Sequence, residues 1–329
     1  MATFKQIRGQ TIKKYTTNPT NPLQGQMWYN NTAGTLKVYR NLGGAWASGD
    51  TMTTSRNTAS SAGTQTANVV MGGQLSNPPY APTNVVELYD GTSWTNNPNN
   101  SPYSAGYNCG TGTQTAGLGF GGYPNVNTTI EFDGSAFTVG GVLTTGRGLM
   151  SQNIGTQTAA VASTGMVSPA PAPTRYPTQT EEYNGTSWTA GGAANTPSYG
   201  RAGSGIESAA LMSGGYTPAT AEIDDAEEYD GTSWTSVNPR PYAANSAGTS
   251  GTQTASLAFG GNPSLQLTTT VSYDGTNWST GGLMTTPRSM FGSSAAGTSA
   301  AALASAGTAP GATEEYVDPT ISIQTVTTS

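Results

Sequence analysis

The sequence predicts an all-β chain of six radially arranged units, each a sheet of four short strands. Two motifs and their period carry this reading. A Gly-Thr-Gln-Thr-Ala motif begins at Gly63, Gly112, Gly155 and Gly251, with degenerate copies at Gly205 and Gly297. Each copy closes on a glycine ten residues later: Gly73, Gly122, Gly165, Gly215, Gly261 and Gly307. A second motif, Glu-Tyr-Asp-Gly-Thr-Ser-Trp in its fullest form, sets two aromatics five apart. The pairs are Tyr89/Trp94, Phe132/Phe137, Tyr183/Trp188, Tyr229/Trp234 and Tyr273/Trp278. The opening glycines recur at spacings of 49, 43, 50, 46 and 46 residues, a period that marks repeat architectures.

Composition narrows the functional classes. Only 9% of the 329 residues are charged and 44 are glycine, against roughly 25% charged in an average soluble domain. Helical bundles and coiled coils are thereby excluded. No histidine is present, which removes Ser-His-Asp catalysis and histidine-ligated metals. The single Cys109 allows no intrachain disulfide and no cysteine-cluster zinc site. No apolar run reaches the roughly 18 residues of a spanning helix, and the N-terminus lacks a signal-peptide core. A soluble chain with no membrane insertion and no usual export route is expected.

Residues 1–45 read as a basic N-terminal anchor arm with a β-hairpin. Residues 1–49 hold Lys5, Arg8, Lys13, Lys14, Lys37 and Arg40 and no acid, while residues 50–329 hold six arginines against 18 acids, a net charge of −12. Such a split suits a tether docking on an acidic partner surface. Lys5, Arg8, Lys13, Lys14 and Trp28 are the expected anchoring residues, with plain solvated charge as the alternative. Six dispersed charges make too thin a patch for nucleic acid.

Residues 46–317 hold the repeats, and residues 318–329 read as a C-terminal tail. In each unit the segment before the opening glycine is rich in Ala, Ser and Gly, as suits an innermost strand where sheets crowd about an axis. Thr66–Met71, Leu257–Phe259 and Val85–Tyr89 have strand composition. The Asp-Gly step between the aromatics signals a hairpin, because glycine accepts the positive φ of tight turns. The last unit has Tyr316 but no Trp. Either Trp46 on a strand near Gly44–Ala47 completes it, or Ile321–Val326 supplies the outer strand; residues 27–47 could also form a hairpin of their own.

In a four-stranded meander the first and third turns share one face, and the second turn and the inter-unit link share the other. The first and third turns are nearly constant. From closing glycine to Tyr or Phe, the second turn spans 16, 10, 18, 14, 12 and 9 residues. Length variation on a rigid scaffold is where binding function concentrates. Tyr80, Tyr123, Arg175, Tyr176, Tyr216 and Leu265 lie on these loops and are the candidate ligand-binding residues.

Other residues favour structural roles. Arg56, Arg147 and Arg288 share one repeat register, and Glu131, Glu182, Glu228 and Glu315 are candidate partners for them. Arg175, Arg201 and Arg240 fall outside that register. Gln65, Gln114, Gln157 and Gln253 read as turn hydrogen bonders. The run Glu222, Asp224, Asp225, Glu227, Glu228 and Asp230 lacks calcium-loop spacing and reads as a solvated acidic loop. No cofactor, metal or catalytic residue is expected.

The Gly-Gly ends, the Tyr-x4-Trp spacing and the recurrent Arg together resemble the kelch repeat. The resemblance covers about residues 46–317 and implies a six-bladed kelch-type β-propeller. The arm, with Asn21-Pro-Leu-Gln-Gly-Gln-Met-Trp-Tyr-Asn30, Leu36–Tyr39 and Gly44-Ala-Trp46, resembles the start of structural proteins of marine tailed bacteriophages. The repeats are similar in wording to kelch-like proteins of such phages. This implies a non-enzymatic protein on the virion surface. Its arm would hold other virion structural proteins, and its loops would recognise a host-surface glycan, as on a tail fibre. The alternative is a capsid decoration protein without a specific ligand. A polysaccharide-cutting enzyme is disfavoured.

Overall fold

The computed structural model describes residues 12–19, 26–40, 44–76, 81–171, 174–219, 221–262, 266–309, 311–318 and 322–325. The protein is all-β, with no helix among the described residues. It divides into two compact units, one of residues 1–44 with 318–329 and one of residues 45–317.

In the smaller unit, Met27–Asn30 and Thr35–Arg40 form an antiparallel hairpin. Lys13–Tyr15 joins one edge in parallel. Ser322–Thr325 joins the other edge, with Lys37 opposite Thr325. Ser322–Thr325, within the stretch expected as a tail, is thus the fourth strand of this sheet. Trp28 is fully buried and donates from Nε1 to Asn18 Oδ1 at 3.3 Å. Lys13 and Lys14 are exposed. Lys5 and Arg8 lie outside the described residues.

Among the described residues, the larger unit contains six sheets of four strands. The first is Ser60–Gly63, Asn68–Met71, Val86–Tyr89 and Trp94–Asn96, each antiparallel to the next. The second runs from Cys109 to Val139, the third from Gly155 to Ala190, the fourth from Ala202 to Val237 and the fifth from Gly248 to Thr280. The sixth takes Gly292–Ser293, Ala301–Ser305 and Thr313–Val317, and its fourth strand is Ala45–Ser48 from the other end of the sequence. Trp46 lies opposite Tyr316 with ring centroids 5.3 Å apart. The five sequence-adjacent aromatic pairs sit at 4.7–5.0 Å.

Among the described residues, apolar side chains gather into six clusters, each shared by two neighbouring sheets. One holds Leu118 and Phe120 of the second sheet with Tyr183 and Trp188 of the third. Another joins Val70, Tyr89 and Trp94 of the first sheet to Leu303 beside them in the sixth. Hydrogen bonds follow the same order. Trp188 Nε1 reaches Thr129 Oγ1 at 2.8 Å, Trp234 Nε1 reaches Thr180 Oγ1 at 3.0 Å, and Trp94 Nε1 reaches Thr313 Oγ1 at 2.9 Å. Each bond runs from one sheet to the preceding one, and the last runs from the first sheet to the sixth.

The repeated polar residues take roles that differ from the sequence expectation. Glu131, Glu182, Glu228 and Glu315 do not pair with arginine. They accept the hydroxyls of Tyr183, Tyr229, Tyr273 and Tyr89 from the next sheet. The arginine partner is the acid one position earlier. Arg56 pairs with Glu87 at 2.8 Å and Arg288 with Glu314 at 2.7 Å, while Arg147 pairs with Glu181 and Arg201 with Glu227, all buried. The reason is strand geometry, since successive side chains point to opposite faces. Arg201, expected outside the repeat, therefore fills the repeat role. The glutamines reach beyond their own turns: Gln114 Nε2 donates to the carbonyls of Asn68 and Tyr89 at 2.9 and 2.8 Å, clipping the second sheet to the first. Gln65 does the same to Ala302 and Tyr316 of the sixth.

Close approach of neighbouring sheets explains Gly140: a Cβ there would overlap the Tyr183 hydroxyl.

Candidate ligand-binding site

The register of the sheets separates two ends. Gly63 pairs with Asn68, Asn68 with Tyr89 and Tyr89 with Trp94, which puts the two constant turns together. In the third turn, Asp90 Oδ1 accepts the backbone N–H of Thr92 and Ser93. These bonds hold the Asp90 carboxyl below the usual carboxylate range. The same turn recurs at Asp133, Asn184, Asp230 and Asp274. The second turns and the inter-sheet links meet at the opposite end.

There the links form a girdle of left-handed residues, one per repeat: Thr58, Tyr107, Leu149, Gly200, Ser246 and Met290, all with φ between 53° and 65°. Backbone hydrogen bonds join them. Thr58 N donates to Met290 O at 2.8 Å, Met290 to Ser246, Ser246 to Gly200, Gly200 to Leu149, and Leu149 to Tyr107 at 3.0 Å. A non-glycine residue in this conformation costs roughly 1–2 kcal/mol, and the girdle holds five of them. Outside the girdle, the residue that follows a closing glycine is tied to the link of its own sheet. Tyr216 and Tyr199 exchange N–H···O bonds of 2.9 and 3.1 Å, and Tyr123 N donates to Gly106 O at 2.9 Å.

A cavity of about 570 Å³ opens here. Leu149, Met166 and Met290 line it together with four tyrosines, Tyr107, Tyr123, Tyr199 and Tyr216. Arg175, Glu222, Asn245, Asn262 and Gln74 supply polar groups. Tyr176 stacks on Tyr199 with centroids 5.4 Å apart, and Tyr216 packs tilted against Tyr199 at 5.1 Å. Tyr107 meets Tyr123 edge-on at 5.9 Å. Burial pushes the Tyr199 hydroxyl up to about 12, reinforced by Tyr176, Tyr216 and Glu222 and opposed by Arg175, so it stays a protonated donor at neutral pH. Asn245 Nδ2 donates to Glu222 Oε1 at 3.3 Å.

Three of the candidates from sequence, Tyr123, Arg175 and Tyr216, come together in this cavity, and Tyr176 backs it through its stack on Tyr199. Tyr80 and Leu265 lie outside the described residues. Sequence reasoning missed Tyr107, Tyr199, Glu222 and Asn245. It also missed Gln74, Met166 and Asn262, although a signal existed: these three, like Tyr123 and Tyr216, each follow a closing glycine. The acidic run does not gather as one loop. Glu227 pairs with Arg201, Glu228 accepts Tyr273, Asp230 caps its own turn, and only Glu222 enters the cavity. No three His, Cys, Asp or Glu side chains come together as a metal site among the described residues.

No protein-family model matches the chain, and no curated protein matches it.

Proposed function

We propose that the six sheets are the blades of a six-bladed kelch-type propeller and that the protein is a non-enzymatic component of a tailed-phage virion. In this reading residues 1–45 hold other virion proteins, and the variable-loop end recognises a host-surface glycan. The virion assignment is supported by the wording of the repeats and by the acid-free N-terminal segment with its exposed Lys13 and Lys14.

One observation carries the recognition reading. Five of the six loops that vary in length contribute residues to a tyrosine-lined cavity of about 570 Å³, within the size range of small-ligand sites. Tyrosine faces offer a flat apolar surface with a polar rim, which suits the C–H face of a sugar ring. Glu222, Asn245 and Asn262 offer acceptors and donors for its hydroxyls. The catalytic alternative finds no support in the arginines: four pair with structural glutamates, as described above.

The test is binding of the full chain to a panel of neutral and acidic oligosaccharides and to host cells, beside the variants Tyr199→Ala and Tyr216→Ala. Saturable binding that both variants weaken about tenfold or more is expected. Equal binding by wild type and variants, or none, would favour a decoration role without a specific ligand.

A further inference from the structure

We propose that the ligand of this cavity is an acidic glycan whose carboxylate docks on Arg175. The proposal rests on the glycan reading above and narrows it to hexuronate-type sugars.

The unit of residues 45–317 has no lysine and six arginines. Arg56, Arg147, Arg201 and Arg288 are fully buried against glutamates. Arg240 is fully buried as well, with its guanidinium 4.7 Å from the Tyr242 ring. Arg175 is the remaining cation, only partly buried, and it lines the tyrosine cavity. Every other surface charge of the described part of this unit is acidic.

Arg175 is also incompletely used. It belongs to none of the ion pairs found among the described residues. Its Nη2 donates to Met166 Sδ at 3.7 Å, a weak acceptor, and its Nε is buried without a partner. Its guanidinium sits 5.7 Å from the Tyr176 ring, which orients it. A planar guanidinium with open N–H groups matches a carboxylate through two parallel hydrogen bonds. Glu222 lines the same cavity and is held by Asn245. A carboxylate would be repelled there, whereas a hydroxyl would donate to it. The two side chains therefore favour a sugar that carries both a carboxylate and hydroxyls, in contact with the tyrosines of the same cavity. The volume exceeds one sugar ring, so a short oligomer is the natural occupant.

The experiment titrates the full chain calorimetrically with trigalacturonate and trimannuronate, their neutral methyl esters, a sulfated galactan oligomer and neutral oligosaccharides. Wild type is compared with Arg175→Gln and Arg175→Lys, after equal melting temperatures and near-UV spectra show the stack intact. At least one uronate is expected to bind about tenfold or more tighter than its ester. Arg175→Gln should abolish that preference, and Arg175→Lys should restore part of it. Equal affinity for acid and ester, or a preference indifferent to Arg175→Gln, would overturn the carboxylate assignment while neutral binding kept the glycan reading. A preference for sulfate ester over carboxylate would also overturn it. No binding by any sugar would overturn both readings.

Discussion

At the scale of single residues, buried arginine sets the energetics. A buried ion pair adds little over a well-packed apolar pair, but removing one partner strands a charge. Arg147→Met, which leaves Glu181 buried and unpaired, should therefore cost about 3–5 kcal/mol, read as a shift in denaturant midpoint. Arg240 gives the opposite sign. It stands six residues after Trp234, where Met52, Leu143 and Met284 stand six after Trp46, Phe137 and Trp278. Its Nη2 donates to Ala244 O at 2.7 Å, while Nε and Nη1 are buried without partners. Burial pulls its pKa below the ordinary value, Tyr242 opposes this, and Arg201 adds to it. Gly214, at φ 64°, makes room for the guanidinium, which a Cβ there would overlap. Arg240→Met should raise stability by about 1–3 kcal/mol, and a lowered melting temperature would refute this. The register of Arg56, Arg147 and Arg288 was legible in the sequence. The partner acid was not, because Glu181 and Glu182 are adjacent and face opposite sides of one strand, and the sequence does not say which side meets the arginine.

At the scale of elements, the inter-sheet tyrosine–glutamate bonds define an alkaline limit. Burial and the bonds to Glu131 and Glu182 push the Tyr183 and Tyr229 hydroxyls up to about 12. Tyr89 and Tyr273 are raised in the same way. Free tyrosine titrates near 10. The folded state keeps its protons where the unfolded chain has lost them, so this stabilisation is complete below about pH 10 and lost as pH rises through about 12. Denaturant midpoints should fall steeply between these values, and Tyr183→Phe with Tyr229→Phe should flatten the fall. A flat profile in the wild type would contradict the role given to these bonds. Hairpin turns were the most legible elements, because Asp-Gly-Thr-Ser states its own chemistry in four residues. The glutamine clips were not, since their acceptors are carbonyls of a neighbouring sheet, 25 and 46 residues away for Gln114 and 237 and 251 residues away for Gln65.

At the scale of the molecule, two ends of the sequence share one sheet. Spare Trp46 and Trp-less Tyr316 pointed to this, although Ile321–Val326 offered an equal strand by composition and is used in the smaller unit, at Ser322–Thr325. Ala45 lies directly opposite Val317, within the Cα range a disulfide spans. Ala45→Cys with Val317→Cys should cross-link within one molecule under mild oxidation and raise the denaturant midpoint. Free thiols or intermolecular species would contradict the pairing. Cys109 should not interfere, since burial pushes its thiol up to about 12. The cavity was half legible: loop length marked the correct end of the sheets, but Tyr107 and Tyr199 sit on links whose convergence appears only in three dimensions. The central claim is that recognition belongs to that end. It is tested most directly by amide hydrogen exchange of the full chain with and without its best-binding oligosaccharide. Protection is expected at residues 121–126, 166–171, 174–176 and 216–219, with no change in the constant turns at 90–93, 184–187 and 230–233. Protection confined to those constant turns would contradict the account.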